Sequence, residues 1–200
     1  MKILIIGDSF AADWSIKYNQ YKGWPNLLAE KYDVTNLAQA GVSEYKIYKQ
    51  LQSVKWLGEY NLTIVSHTSP YRVPCRTHPI HSSDALHYNA DLMLNDITYH
   101  SKNIKNFFNK SLRAAKLFFK YHYDIDFYTT THSLYRKAIE DRLKIIKFIS
   151  INLFSDTIYP STLDFYDIYK AYPGTINHLS KEGNEIVFNQ LIKKIIASEE

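Results

Sequence analysis

Directly after Met1 the chain reads Lys2-Ile3-Leu4-Ile5-Ile6-Gly7-Asp8-Ser9-Phe10. Four consecutive aliphatic residues stopped by a glycine read as a strand buried on both faces, as in the middle of a parallel sheet. The run is too short for the apolar stretch of a signal peptide, which needs about 7–15 residues. Downstream, strand and helix patterns alternate. Trp24 to Lys31 reads as a short helix with Pro25 in its first turn, and Val34 to Leu37 as a strand. Ser43 to Leu51 reads as a helix with Ser43 as N-cap, and Leu62 to Ser66 as a third, β-branched run. This alternation predicts an α/β domain built on a parallel sheet.

Beyond Ser66 the pattern loosens. Pro70 and Pro74 break the third run. In the second half of Asp91–Tyr121, Ile104, Phe107, Phe108, Leu112, Ala115 and Phe119 recur at three- and four-residue steps. They read as the apolar face of a helix turned to a core or partner, flanked by solvated Lys102, Lys105, Lys110, Arg113, Lys116 and Lys120. Asp124 to Thr130 and Ile145 to Ile151 are both strand candidates, the second favoured as the last core strand. Lys181 to Ala197 reads as a closing helix with Ile186, Val187, Leu191, Ile195 and Ile196 inward.

Composition bounds the rest. A chain of 200 residues suits one domain spanning 1–200. The single cysteine, Cys75, excludes an intramolecular disulfide framework and fits a reducing compartment, so a cytoplasmic location is expected. A net charge of +4 is modest for a dedicated nucleic-acid binder, and no nucleic-acid partner is expected. No segment reaches the roughly 18–20 apolar residues of a membrane span. The sequence sets no oligomeric state.

Three short stretches carry candidate chemistry. Gly7-Asp8-Ser9-Phe10 follows the first strand, at the end of the sheet where α/β proteins bind ligands. Ser9 there is a nucleophile if a base takes its proton, and a plain capping turn if none does. Gly41, in Asn36-Leu37-Ala38-Gln39-Ala40-Gly41-Val42-Ser43, allows close backbone approach to a substrate or simply serves a turn. His178, in Asn177-His178-Leu179-Ser180-Lys181-Glu182-Gly183-Asn184, precedes the closing helix. It is either an ordinary loop histidine or a base folded back over the first strand.

Taken in order, GDSF at 7–10, NLAQAG at 36–41 and NHLSKEGN at 177–184 resemble the blocks of the SGNH/GDSL hydrolase family. Trp24 with Pro25-Asn26-Leu27-Leu28 is similar to the helix that follows the family's nucleophile block. The resemblance implies a three-layer α/β/α, flavodoxin-like fold with a central, mainly parallel sheet and a helical insertion in the middle. It also implies ester hydrolysis with no metal and no other cofactor. Ser9 would be the nucleophile and His178 the base, with the N–H groups of Ser9 and Gly41 facing the oxyanion and Asp8 and Asn177 as further oxyanion- or substrate-binding residues.

The chain departs from the family pattern twice. In place of the Gly-x-Asn-Asp turn stands His67-Thr68-Ser69-Pro70-Tyr71-Arg72, which puts Ser69 near the asparagine's place with Thr68 or Arg72 as substitutes. Thr175 occupies the position of the aspartate three before the histidine. Asp167 is therefore the expected orienter of His178, with Asp164 or a backbone carbonyl as alternatives. The expected activity is that of a serine esterase on a small-molecule or carbohydrate-linked O-acyl (acetyl) ester. Acyl transfer or ligand binding without catalysis are the other expectations on this fold.

Two further patterns invite chemistry and read as structural. Asp84-Ala85-Leu86-His87 copies the missing acid–base spacing but reads as the start of an insertion helix capped by Ser82 or Ser83. Cys75, His78 and His81 fall short of a four-ligand zinc set, so no metal is expected.

Overall fold

The computed structural model describes residues 1–18, 20–154 and 161–197. Five strands form one parallel sheet: β1 (Lys2–Gly7), β2 (Asp33–Asn36), β3 (Leu62–Ser66), β4 (Phe148–Asn152) and β5 (Leu163–Asp164). Their spatial order is β2-β1-β3-β4-β5, with Ile5 opposite both Asn36 and Ile64. This 2-1-3-4-5 order is the flavodoxin-like one, whose switch point lies between β1 and β3.

Successive residues of a strand point to opposite faces, and here both faces are covered. Ile3, Ile5, Ile64, Ile149 and Ile151 pack with Trp24 and Leu28 of α1 (Trp24–Ala29) and with Val187, Leu191 and Ile195 of α2 (Lys181–Ile196), the closing helix. Leu4, Ile6 and Val65 pack on the other face with Ile47 and Leu51 of α3 (Glu44–Ser53) and with Ile139 and Leu143 of α4 (Ile125–Leu143). The unbroken aliphatic run of β1 is thus the consequence of a strand with helices above and below it. The fold is α/β with three layers, as expected.

Several details differ from expectation. Asp124 to Thr130 is helical, because the Asp124 carboxylate accepts the N–H groups of Asp126 and Phe127 and caps α4. The middle insertion therefore includes a helix of the covering layer. Within that insertion, α5 (Leu94–Ser101) and α6 (Lys110–Tyr121) pack together through Ile97, Leu112, Ala115 and Phe119 around Val73. Ile104, Phe107 and Phe108, expected on the same face, are exposed. Asn109 caps α6 by accepting the Leu112 N–H, so the period restarts there and the preceding residues belong to a separate 3-10 turn, Ile104–Asn106. Ile196, at the end of α2, is exposed as well. β5 adds a strand beyond the predicted set. Among the described residues, no helix is long and apolar enough to cross a membrane.

The two ends of the chain meet through Asn184. Its carbonyl oxygen accepts the N–H of Trp24 at 2.9 Å, and its amide donates to the carbonyls of Ile176 (2.9 Å) and Ser180 (3.0 Å). Asn184→Ala leaves these buried groups without partners, at a cost on the order of 3 kcal/mol. Urea unfolding monitored by tryptophan fluorescence should show a lowered midpoint with an unchanged slope.

Candidate functional site

The turn after β1 is held from several directions. No side chain fits at Gly7, where a Cβ would lie 2.6 Å from that of Ser66 on β3. The Gln50 side chain of α3 accepts the Gly7 N–H at 2.8 Å and donates to its carbonyl at 3.1 Å, replacing a strand partner. Beyond Gly7, the Trp14 indole donates to the Ser9 carbonyl and the Trp24 indole to the Phe10 carbonyl, each at 2.7 Å. Asp8 points inward, accepting from the Phe10 N–H (3.0 Å) and the Ser66 hydroxyl (3.1 Å). Asp8 therefore braces the turn from below.

His178 arrives from the other end of the chain. Asn177 and His178 both have positive φ, 51° and 58°, a conformation rare for residues with side chains and one that marks functional strain when the surroundings enforce it. The Asn177 amide anchors the bend by donating to the Ala12 carbonyl at 2.8 Å. The imidazole of His178 then lies against Phe10 and Trp14, with ring centroids 4.7 and 5.3 Å away.

Ser9, Gly41, Arg72 and His178 line one cavity of about 190 Å³, together with His81, His87, Asp91 and Asp96. Gly41 has φ 79°, and a Cβ there would sit 2.8 Å from that of Ala90, so a side chain is excluded twice over. Its carbonyl is held by the Asp91 N–H at 2.9 Å and the Arg72 guanidinium at 3.1 Å. Arg72 also donates to the Thr68 hydroxyl at 3.1 Å. Of the three candidates after β3, Arg72 is the one on the cavity wall, whereas Thr68 and Ser69 are buried and do not line it.

Thr68 is fixed by a charged cluster that the sequence reading missed. Glu44, at the start of α3, accepts from His67 Nδ1 at 2.6 Å and from the Thr68 N–H at 3.3 Å. His132 of α4 bonds the Thr68 carbonyl at 2.9 Å and lies 3.4 Å from Glu44. Against the upward pull of burial, the two imidazoles hold the Glu44 carboxyl well below its ordinary range. A glutamate in the first turn of a helix reads as an ordinary surface residue, so only the fold reveals this cluster.

The expected orienting acid is not at the site. Asp167 is exposed in the first turn of the short helix α7 (Tyr166–Ala171), and Asp164 caps the Tyr166 N–H. Among the described residues, neither carboxylate bonds His178. Asp84-Ala85-Leu86-His87, expected to start a helix, instead forms turns. There Asp84 accepts the N–H groups of Leu86 and His87, pairs with Lys17 at 2.7 Å, and lies 3.4 Å from His87 Nδ1. The His87 ring reaches the cavity beside Trp14. A carboxylate-linked imidazole thus does face Ser9's cavity, from the middle of the chain.

His78, His81 and Asp96 also converge, with donor atoms within 4.8 Å of one another, while Cys75 bonds elsewhere, to Asp91 and Ala90. His78 Nδ1 accepts the N–H groups of Ile80 and His81, which puts its ring proton on Nε2, 3.2 Å from Asp96. His81 and His100 approach the same carboxylate at 3.3 and 3.4 Å. The group is a carboxylate ringed by imidazoles, and with Nδ1 already accepting, the nearby His78 Nε2 carries the ring proton and no lone pair.

Burial and the neighbouring charges of Arg72 and His87 push His178 down to about 4, so its imidazole is neutral at pH 7. Burial pushes Asp8 up to about 7, against the pull of Arg72 and of its hydrogen bonds.

No protein-family model and no curated protein matches this chain. Among solved structures it is similar to an acetyl xylan esterase at 13% identity, covering 98% of this chain and 100% of that one with a TM-score of 0.42. It is also similar to a lipase/acylhydrolase from Enterococcus faecalis at 13% identity (97% and 94% covered, TM-score 0.39). A GDSL-like lipase from Bacteroides thetaiotaomicron is similar at 11% identity (100% and 89% covered, TM-score 0.38). The chemistry of the site stands on the residues described above.

Asp8 has a consequence for stability. Its native value of about 7, against an ordinary 3.8, means that the folded state holds a proton the unfolded chain has released between those values. This contribution is complete below about pH 4 and is lost as pH rises towards 7. Asp8→Asn should therefore gain on the wild type by an amount on the order of 3 kcal/mol between pH 4 and pH 7. Denaturant unfolding at the two values checks this. His178, depressed rather than raised, has the opposite sign but is present in both proteins and cancels in the comparison.

Proposed function

We propose that the protein is a serine hydrolase of acyl esters, with Ser9 as nucleophile and His178 as its base. The observation that carries this reading is the convergence of Ser9, Gly41, Arg72 and His178 on one cavity at the switch point of the sheet. Attack of Ser9 Oγ on the ester carbonyl passes the hydroxyl proton to the neutral imidazole, which returns it to the leaving alkoxide. The acyl-enzyme then yields to water by the same route reversed. The Ser9 and Gly41 N–H groups face the developing oxyanion, and the Arg72 guanidinium supplies the donor for which Ser69 had been the first candidate.

A base near 4 keeps its proton-accepting form down to low pH, though it is a weaker acceptor than an ordinary histidine. His87 complements it, since Asp84 holds that ring and both imidazoles border the cavity. A neighbouring cavity of about 490 Å³ carries Gln39, Tyr88 and Asn89, polar groups of the kind that bind sugar hydroxyls. This supports a carbohydrate-linked acetyl ester as substrate. Acyl transfer uses the same acyl-enzyme and differs only in the acceptor.

Acetate release from p-nitrophenyl acetate should fall at least about a thousandfold in Ser9→Ala, and a fluorophosphonate should label Ser9 of the wild type. Equal rates in the two proteins, with no labelling, leave a ligand-binding protein on this fold. Arg72→Gln should lower kcat by about a hundredfold with little change in KM. With His178 as base, the acid limb of kcat/KM falls near pH 4, and His178→Ala loses more than His87→Ala. The reverse ranking transfers the base role to His87.

A further inference from the structure

Between Asp96 and Asp124 the chain has no acidic residue and six cations, Lys102, Lys105, Lys110, Arg113, Lys116 and Lys120. All six are exposed, and among the described residues none forms an ion pair. The same stretch projects apolar side chains that the core does not use. Ile104 and Phe108 are each 86% exposed and Phe107 is 67% exposed, at the tip that precedes α6. Beside that tip, Phe107, Leu112 and Leu117 line a groove of about 440 Å³ edged by Arg113, Lys116 and Lys120.

We propose that this face docks the protein on an anionic lipid bilayer, with Ile104, Phe107 and Phe108 at the acyl boundary and the cations among the headgroup phosphates. The combination of protruding apolar residues with an all-basic surround is that of an element that lies on a membrane without crossing it. A second copy of the chain fits poorly, because a two-fold contact would set these cations against themselves. A nucleic acid also fits less well. Proteins that bind single strands line a basic groove with aromatic faces for stacking, whereas the most exposed side chains here include an isoleucine, which has no such face, at a projecting tip. The docked face and the Ser9 cavity share one helix: Asp96 in the first turn of α5 lines the cavity, and Ser101 at its end lines the groove.

Co-sedimentation of the full chain with vesicles tests this. Binding is expected to phosphatidylcholine vesicles containing phosphatidylglycerol, to be weak on phosphatidylcholine alone, and to fall as salt rises. The double variant Ile104→Ser/Phe108→Ser should lower partitioning more than tenfold, and Lys116→Gln and Lys120→Gln about fivefold each. All four sites are exposed, so thermal melting should match the wild type, and hydrolysis of a soluble ester should be unaffected. Equal binding to both vesicle types, or none to either, overturns the proposal. So does displacement of the anionic vesicles by single-stranded RNA. A concentration-dependent dimer abolished by the Ile104/Phe108 variant assigns the face to a contact between copies and overturns it too.

Discussion

Backbone polar groups buried without partners are costly, and the turn that leaves β1 carries several of them. At the switch point the chain gives up its strand neighbours while still surrounded by the protein. Two indoles, one side-chain amide and one carboxylate replace them: Trp14 and Trp24 on the Ser9 and Phe10 carbonyls, Gln50 on Gly7, and Asp8 on the Phe10 N–H. Ser9 therefore sits where elements on both faces of the sheet agree that it must. The contact between β1 and β3, tight enough to require glycine at position 7, is what lets Ser66 and the segment after it approach the same turn.

Charge is arranged around that turn with little solvent to screen it. Arg72 bonds Gly41 and Thr68 and lies near Asp8 and Asp91, so a cation stands on the cavity that Ser9 lines, with acids behind it. Burial, aided by the same cation, keeps the imidazole of His178 neutral. Beneath, Glu44 with His67 and His132 clamps both polar groups of the Thr68 peptide, which fixes the residue that Arg72 leans on. The segment after β3 thus has its own support, built from a buried carboxylate and two imidazoles.

The long connection between β3 and β4 has two jobs. Its last helix, α4, covers the sheet and is part of the core. Its earlier part is free of that duty, and it brings His87, Asp91 and Asp96 to the cavity of Ser9 while turning a basic, partly apolar face outward. A carboxylate-linked imidazole at the cavity and, on the same insertion, a cationic surface without ion pairs among the described residues are the features that set this chain apart from a bare α/β/α scaffold.

Ile3 to Ile6, Leu62 to Ser66 and the closing helix were legible because burial on two faces, or on one helical stripe, writes itself into local pattern. Ser9, Gly41 and His178 were legible for a related reason. Each borders such an element, and strand order then brings those borders to one end of the sheet. Asp124 misled because its alternating neighbours mask a capping carboxylate, and Ile104 and Phe108 because a restarted helix breaks an apparent period. Asp167, expected beside His178, lies exposed elsewhere, while Asp84 meets a different imidazole, His87, and Glu44 was not singled out at all. These pairings join residues far apart in the chain through loops with no periodicity, so their partners are chosen by the path of the backbone in space. Local pattern determined the layers and the ends of the strands; only the tertiary structure decided which charges meet there, because electrostatic neighbours depend on distance across the fold and leave no repeat in the sequence.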